Sequence, residues 1–321
     1  MQNVIVTGGS GFIGHHLVNR LLELRKRVTI IDNLSGSGAG KESNDKSGGE
    51  NTKVSFYKED IRNGNSLAEI FKQEKPDCCI HLAAKISVSE SVTNPSETLD
   101  VNVLGTLNVL EACSKAGVRN LVFASSAAAY GEPMTFPITE DHVLNPLSPY
   151  GASKAAAEVL VSSYRNLNKI PNAISLRFFN VYGKGQNMEY AGVITKFHEK
   201  LAQEKPIVIF GDGEQTRDFV SVNDVVKAII LAAETREKQI LLSPATFNIA
   251  TGTSTRINQL AQLMIKLSGQ NSEIIYQAPV KGDIRFASVD MTRANQVLQF
   301  VPEESLEEGL ENLVKSNEIR T

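Results

Sequence analysis

Tyr150 and Lys154 stand four residues apart in a helical stretch that opens at Pro149. That spacing puts both side chains on one helix face. A cation beside a phenol favours the phenolate and lowers its pKa. A phenolate poised near neutral pH is a competent general base for a substrate hydroxyl. The same spacing also occurs in ordinary exposed Tyr/Lys pairs, so the pair alone is a weak signal. Ser125 and Ser126, which close an apolar run at 121–124, add weight. A hydroxyl at the carboxyl end of a strand can share a proton leaving a substrate, and such strand ends are where ligands bind in open α/β sheets.

A second group of residues is suited to phosphate. Gly8, Gly11 and Gly14 follow an apolar run at 3–6 and open a helical pattern. One glycine makes the tight turn, one lets backbone N–H groups approach a pyrophosphate, and one lets helix and sheet pack closely. Asp32 ends the next apolar run, where an acid binds ribose hydroxyls and repels a 2′-phosphate. No basic residue occurs at 33–40, which favours NAD over NADP. Asp60 and Ile61 are expected to close a third strand and meet the adenine. His81-Leu82-Ala83-Ala84 closes a fourth, with small residues against which a ring or ribose can lie. His81 itself reads better as a satisfied core histidine than as a catalyst.

These groups need a scaffold, and the chain spells one out. Residues 3–6, 28–31, 54–57, 78–82, 121–124 and 173–178 read as strands. They are near-continuous apolar runs, as expected of parallel strands buried on both faces. Helical patterns at 12–26, 66–73, 95–116 and 149–167 alternate with them. The expected fold is α/β, a doubly wound (Rossmann) parallel sheet with a smaller C-terminal substrate-binding part. The division expected is 1–180 for dinucleotide binding and catalysis and 181–321 for substrate, with some sheet contribution crossing the boundary. Helices are expected at 191–204, 223–235, 255–268 and 305–315. The polar, glycine- and serine-rich stretch 35–53 is either a disordered surface insertion or a functional lid.

Composition agrees. The chain has 321 residues, 41% hydrophobic and 21% charged, with a net charge of −3. Such a chain is globular rather than disordered, and no global basic field draws it to nucleic acid or an anionic membrane. Three cysteines with no zinc-like spacing point to no metal and a reduced, cytoplasmic setting. No apolar run is long enough to span a bilayer.

With these residues in view, the sequence resembles the extended short-chain dehydrogenase/reductase superfamily, and within it the UDP-glucose 4-epimerase family of nucleotide-sugar 4-epimerases. The resemblance runs through the glycine motif, Asp60-Ile61, His81–Ala84, Asn102, Ser126, Tyr150, Lys154 and Arg177–Gly183. It continues through Phe210–Gly213, Arg217-Asp218-Phe219 and Gly282–Arg285, and so covers essentially the whole chain. It implies that Tyr150 is the base, Ser126 its hydroxyl partner, and Lys154 the residue that holds the nicotinamide ribose and tunes Tyr150. The implied cofactor set is Gly8, Gly11, Phe12, Ile13, Gly14, Asp32, Asn33, Asp60, Ile61, Leu82, Ala83, Ala84, Asn102, Lys154 and Phe178. The implied substrate set is Ser126, Tyr150, Asn180, Gly192, Val193, Val208, Phe210, Arg217, Asp283 and Ala287. Of these, Asn180 and Arg217 take the diphosphate, and Val208 and Phe210 flank the uracil. Taken alone, Arg217-Asp218 would read as a surface ion pair.

The resemblance further implies 4-epimerisation of a UDP-hexose with tightly held NAD, and a homodimer pairing the helices near 95–116 and 149–167. The carbon-4 hydride leaves, the 4-keto sugar turns, and the hydride returns to its other face. Ala127 and Ala128 stand where related dehydratases and decarboxylases carry acids, which speaks against those reactions. Two departures from the family pattern stand out: Val280, where an arginine is usual, with Lys281 or Arg285 as replacement, and Lys85, where a glutamine is frequent. Ala287 stands where a large tyrosine would exclude an N-acetyl group. The expected substrates therefore include UDP-N-acetylglucosamine and UDP-N-acetylgalactosamine besides UDP-glucose and UDP-galactose. Phe286 swinging into the vacancy is the competing arrangement. The alternative activities are 4-epimerisation of UDP-glucuronate or a UDP-pentose, or silent NAD binding by a regulatory protein.

Overall fold

The computed structural model describes residues 1–36, 54–187, 192–235, 245–279 and 285–315. A seven-stranded, all-parallel sheet forms its centre. In chain order its strands are β1 (Asn3–Thr7), β2 (Arg27–Ile31), β3 (Val54–Tyr57), β4 (Cys78–His81), β5 (Asn120–Ser126), β6 (Asn172–Phe178) and β11 (Thr246–Ile249). In space the order is β11-β6-β5-β4-β1-β2-β3. Side chains alternate between the two helical layers, as the two-residue period of a strand requires. Val4 and Val6 enter one core cluster and Ile5 the other; Val122 and Ala124 divide from Leu121 and Phe123 in the same way. The first cluster also takes in buried residues of α1 (Phe12–Glu23) and α8 (Val222–Glu234). The second takes in those of α2 (Gly64–Glu74), α5 (Gly105–Lys115) and α6 (Pro149–Asn166).

Local chemistry accounts for the ends of the catalytic helix. Ser148 caps α6 by accepting from Gly151 N at 3.1 Å, and Pro149 occupies the first turn. Such a cap is worth about 1 kcal/mol, and a proline there forgoes only an N–H that no helix carbonyl would have bonded. The expected 95–116 helix is α4 (Pro95–Leu99), a π-helical turn at Asp100–Leu104, and α5. The π turn contains Asn102, and such turns collect at functional sites.

The sequence reading missed several elements. β11 is a seventh strand, paired with β6 from Thr246↔Ser175 to Ile249↔Phe178. Its four residues, Thr246-Phe247-Asn248-Ile249, mix polar with apolar types instead of forming an apolar run, and only the partner strand makes them one. The short helices α3 (Val88–Thr93) and α10 (Thr292–Leu298) are too brief to show a period. The third strand ends at Tyr57, so Asp60 does not close it but lies in the turn beyond.

A smaller core holds the C-terminal part together. It contains Tyr182, Phe197, Ile207, Phe219, Leu260 and Leu310, drawn mainly from α7 (Val193–Ala202), α9 (Ile257–Ser268), α11 (Leu306–Lys315) and short strands. The core strands are β7 (Asn180–Tyr182) with β10 (Phe219–Ser221) and β8 (Ile207–Phe210) with β13 (Ile274–Gln277), and a further pair, β9 (Thr216–Arg217) with β12 (Thr255–Arg256), lies outside that core. The chain returns to the first unit through α8, β11 and α10, so no single cut separates the two parts. Among the described residues no helix is long and apolar enough to cross a membrane.

Candidate active site

The strand order reverses between β1 and β4, and a cleft of about 310 Å³ opens at the carboxyl ends of the strands there. That is the place where an open α/β sheet binds its ligand. Gly8, Gly11, Phe12, Ile13, Gly14, Asp32, Asn33, Asp60, Ile61, Leu82, Ala83, Ala84, Lys154 and Phe178 all line it. A Cβ on Gly14 would lie 2.3 Å from Gly8 O and 2.7 Å from Gly9 Cα. The turn and the first helical residues are therefore in backbone contact, and only glycine allows that approach. Asp32 accepts from Ser10 N at 2.9 Å and Leu34 N at 2.8 Å, which fixes its carboxylate at the end of β2. A glycine cradle at a helix N-terminus with an acid across from it fits a dinucleotide with free ribose hydroxyls. Arg62 also lines the cleft, yet it is paired with Asp60 at 2.8 Å and Asp100 at 3.3 Å. The Arg62 guanidinium, helped by Asn33, holds the Asp60 carboxyl far below the usual carboxylate range.

One predicted cofactor neighbour has other surroundings. Asn102 is buried away from the cleft wall. Its amide accepts from Lys85 N at 2.8 Å and donates to Lys85 O and Ser153 Oγ, both at 2.9 Å. It braces the wall rather than forming it. Lys85 does line the cleft and pairs with Glu97 at 3.2 Å. His81 is buried with one ring nitrogen 2.7 Å from Thr7 Oγ1 and the other 2.9 Å from Thr106 Oγ1. Burial, with the nearby Lys154 charge, pushes its pKa down to about 3. A neutral, doubly bonded core histidine is the result.

Tyr150 and Lys154 both reach the cleft from α6. The Ser126 hydroxyl hydrogen-bonds the Tyr150 phenol and accepts from Ala128 N at 3.2 Å. Gly151 makes this meeting possible, since a Cβ there would lie 2.4 Å from Ala128 O. One expectation needs correction. Tyr150's pKa is raised, because burial outweighs the bond from Ser126. The Lys154 ammonium donates instead to Ala124 O at 2.8 Å and lies 5.0 Å from the centre of the Phe123 ring. Burial pulls its own pKa down to about 8, against the charge of Glu158. The i, i+4 spacing brings the pair to one cleft without aiming the cation at the phenol.

The predicted substrate residues gather on the C-terminal strands. Asn180 Nδ2 donates to Asp218 O at 2.9 Å, beside Arg217, where β7 meets β10. Arg285 O accepts from Thr216 N at 3.0 Å, and Ala287 N donates to Thr216 Oγ1 at 2.9 Å. Residues 285–287 therefore run alongside the Arg217 strand. Ala287 is buried, whereas Phe286 is 52% exposed, with its ring centre 5.9 Å from the Arg285 guanidinium carbon. Gly192 caps α7 and Val193 begins it. Val208 lies on β8, and Phe210 ends that strand, half-exposed. None of these residues lies on the wall of the 310 Å³ cleft. Asp283, Val280, Lys281 and most of the 35–53 stretch (from 37 onward) lie outside the described residues.

Comparison with known proteins decides the family. A model of the NAD dependent epimerase/dehydratase family matches residues 4–250. The chain belongs to this family. A curated relative from Methanocaldococcus jannaschii, named putative UDP-glucose 4-epimerase, is 41% identical over 97% of each chain. The solved structure of a Thermotoga maritima UDP-glucose 4-epimerase with UDP-glucose matches with a TM-score of 0.89 and 38% identity, covering 98% of both chains. A UDP-N-acetylglucosamine 4-epimerase from Methanobrevibacter ruminantium, solved with UDP-N-acetylmuramic acid, matches at a TM-score of 0.88 and 36% identity, covering 98% of this chain and 97% of that one.

As a member of the NAD dependent epimerase/dehydratase family, the chain uses NAD. The glycine cradle and Asp32 supply the structural fit. Sequence reasoning passed over Arg62 and Glu158. Arg62 lines the cleft, and Glu158 lies one helical turn beyond Lys154. The Glu158 signal was available, since a glutamate four residues after a lysine shares its helix face.

Proposed function

We propose that the protein interconverts UDP-glucose with UDP-galactose, and UDP-N-acetylglucosamine with UDP-N-acetylgalactosamine, by inversion at carbon 4. The observation that carries this reading is Tyr150 and Lys154 together on the wall of a dinucleotide cleft, with the Ser126 hydroxyl at the phenol. Gly8, Gly11, Gly14 and Asp32 would hold NAD in that cleft, where it would supply a reversible hydride acceptor for carbon 4. Tyr150 takes the proton of the sugar 4-hydroxyl and gives it back. Its raised pKa keeps the phenol protonated at rest and makes its phenolate a strong base, so the forward step depends on Ser126 and the Lys154 charge to free the phenolate. Asn180 and Arg217 hold the UDP diphosphate, Arg217 by its planar fork. A grip on the nucleotide leaves the 4-keto sugar free to turn.

The N-acetylated pair rests on Ala287. A methyl group fills little volume, and Phe286 is half-exposed beside Arg285 instead of buried in place of a larger side chain. The deciding experiment incubates purified protein with single UDP-sugars, without added NAD, and resolves the products. Conversion within both hexose pairs is expected. Turnover of UDP-glucuronate alone would assign the alternative substrate, and no turnover at all with NAD released on denaturation would indicate silent binding. Ala287→Tyr should suppress the N-acetylated pair and spare UDP-galactose; equal loss on both pairs would remove Ala287 from the sugar wall.

A further inference from the structure

Behind the cleft lies a buried ion pair that the reaction scheme does not use. Glu158 accepts from Arg177 Nε at 3.0 Å and Nη2 at 2.7 Å, and both side chains are 6% exposed. Ser125, on the cleft wall, donates to the same carboxylate. Arg177 Nη1 goes on to Tyr130 OH at 2.8 Å and Glu140 O at 3.0 Å. Tyr130 OH in turn donates to Asn248 Oδ1 at 2.6 Å. One connected group thus ties α6 to the ends of β5, β6 and β11. A desolvated ion pair of this kind costs much of what its attraction returns, so its stability alone is a poor reason for its presence.

We propose that Glu158 is a positioning residue for the Tyr150/Lys154 site: it pins the middle of α6, one turn beyond Lys154, to β5 and β6 and supplies the counter-charge that keeps the Lys154 ammonium in a buried place. Geometry favours this, because Glu158 and Lys154 share a helix face one turn apart, and because Ser125 makes Glu158 part of the cleft wall's own hydrogen bonding. The other charged or titratable groups near Lys154 are Tyr150 on α6, His81 from β4, and Arg177 from β6 beyond Glu158. Lys85, Glu90 and Glu97 share the cleft from the β4–α4 region. Of these, Glu158 is the group whose charge supports the ammonium, against the burial that opposes it. The placement of Lys154 in catalysis rests on the function proposed above; its protonation does not.

The test is Glu158→Gln, which keeps shape and removes charge. Lysine labelled with ¹³C at the ε carbon is followed by NMR against pH in the protein as purified, with Lys154→Arg to assign the signal. The Lys154 midpoint should fall from about 8 by about one pH unit, a tenfold change in proton affinity. The alkaline limb of kcat/KM should move down with it, and Glu158→Asp should restore both. An unchanged Lys154 midpoint in a folded Glu158→Gln protein would overturn the proposal. Should that variant fail to fold with Arg177 left alone, Glu158→Gln/Arg177→Met removes both charges and the same midpoint is read. Absence of epimerase activity in the wild type would sink the catalytic reading while the NMR arm still decides the role of Glu158.

Discussion

Tyr150 holds its proton more tightly than a free tyrosine, because a phenolate loses more from burial than the Ser126 bond gives back. The proton it exchanges must therefore come and go within a short hydrogen-bonded set, and removing the hydroxyl should hurt chemistry more than binding. Tyr150→Phe is expected to keep the fold and its bound NAD while kcat falls about 10²–10⁴-fold, the usual range for a lost general acid–base. Steady-state rates, with cofactor content measured after denaturation, check this. Near wild-type turnover would take Tyr150 out of the mechanism. The cation at i+4 was easy to see in the sequence. That it bonds to Ala124 O rather than aiming at the phenol was not, since helical spacing sets the face of a side chain and the neighbouring strand decides where its tip ends.

At the scale of elements, the β1–α1 turn and the α6 start are the two pieces that hold the site. Both depend on backbones closer together than a side chain permits. At Gly14 the obstruction would be backbone on both counts, Gly8 O and Gly9 Cα, and neither can swing aside. Gly14→Ala should displace α1 from the turn, cost about 1–3 kcal/mol of stability as overpacking does, and leave the purified protein without most of its NAD. Thermal unfolding and the NAD-to-protein ratio measure the two effects. Full NAD occupancy in the variant would show that the turn tolerates the shift. The three glycines announce this element in the sequence because the chemistry is local. Asn102 illustrates the reverse: its π-helical turn and its bonds to Lys85 and Ser153 join segments far apart in the chain, and no spacing rule reports them.

At the scale of the whole molecule, the helical layer made of α3 to α6 leaves apolar side chains uncovered. Val92, Leu99, Leu104 and Val159 are between 43% and 65% exposed. Two copies meeting through this layer would bury them, and a stable pair needs about 1,200–2,000 Å² of total surface. We expect a homodimer at micromolar concentration, measured by light scattering, and expect Leu104→Asp combined with Val159→Asp to yield monomers that keep their NAD. A monomeric wild type would count against the interface. The same scale governs the return of the chain from the C-terminal part. β11 and α10 complete the first core, although their residues follow the start of the substrate part by many positions.

Sequence alone determined the parallel sheet, the dinucleotide turn and the Ser126–Tyr150–Lys154 grouping. Each rests on local patterns: doubly buried strands read as apolar runs, phosphate cradles need glycine, and helix faces repeat every three to four residues. Tertiary structure decided what depends on partners distant in the chain. β11 is a strand because β6 lies beside it, and Asp60 is held in a turn by Arg62 and Asn33. The proton affinities of Tyr150, Lys154 and His81 follow from burial and from charges on other elements, and only packing sets those.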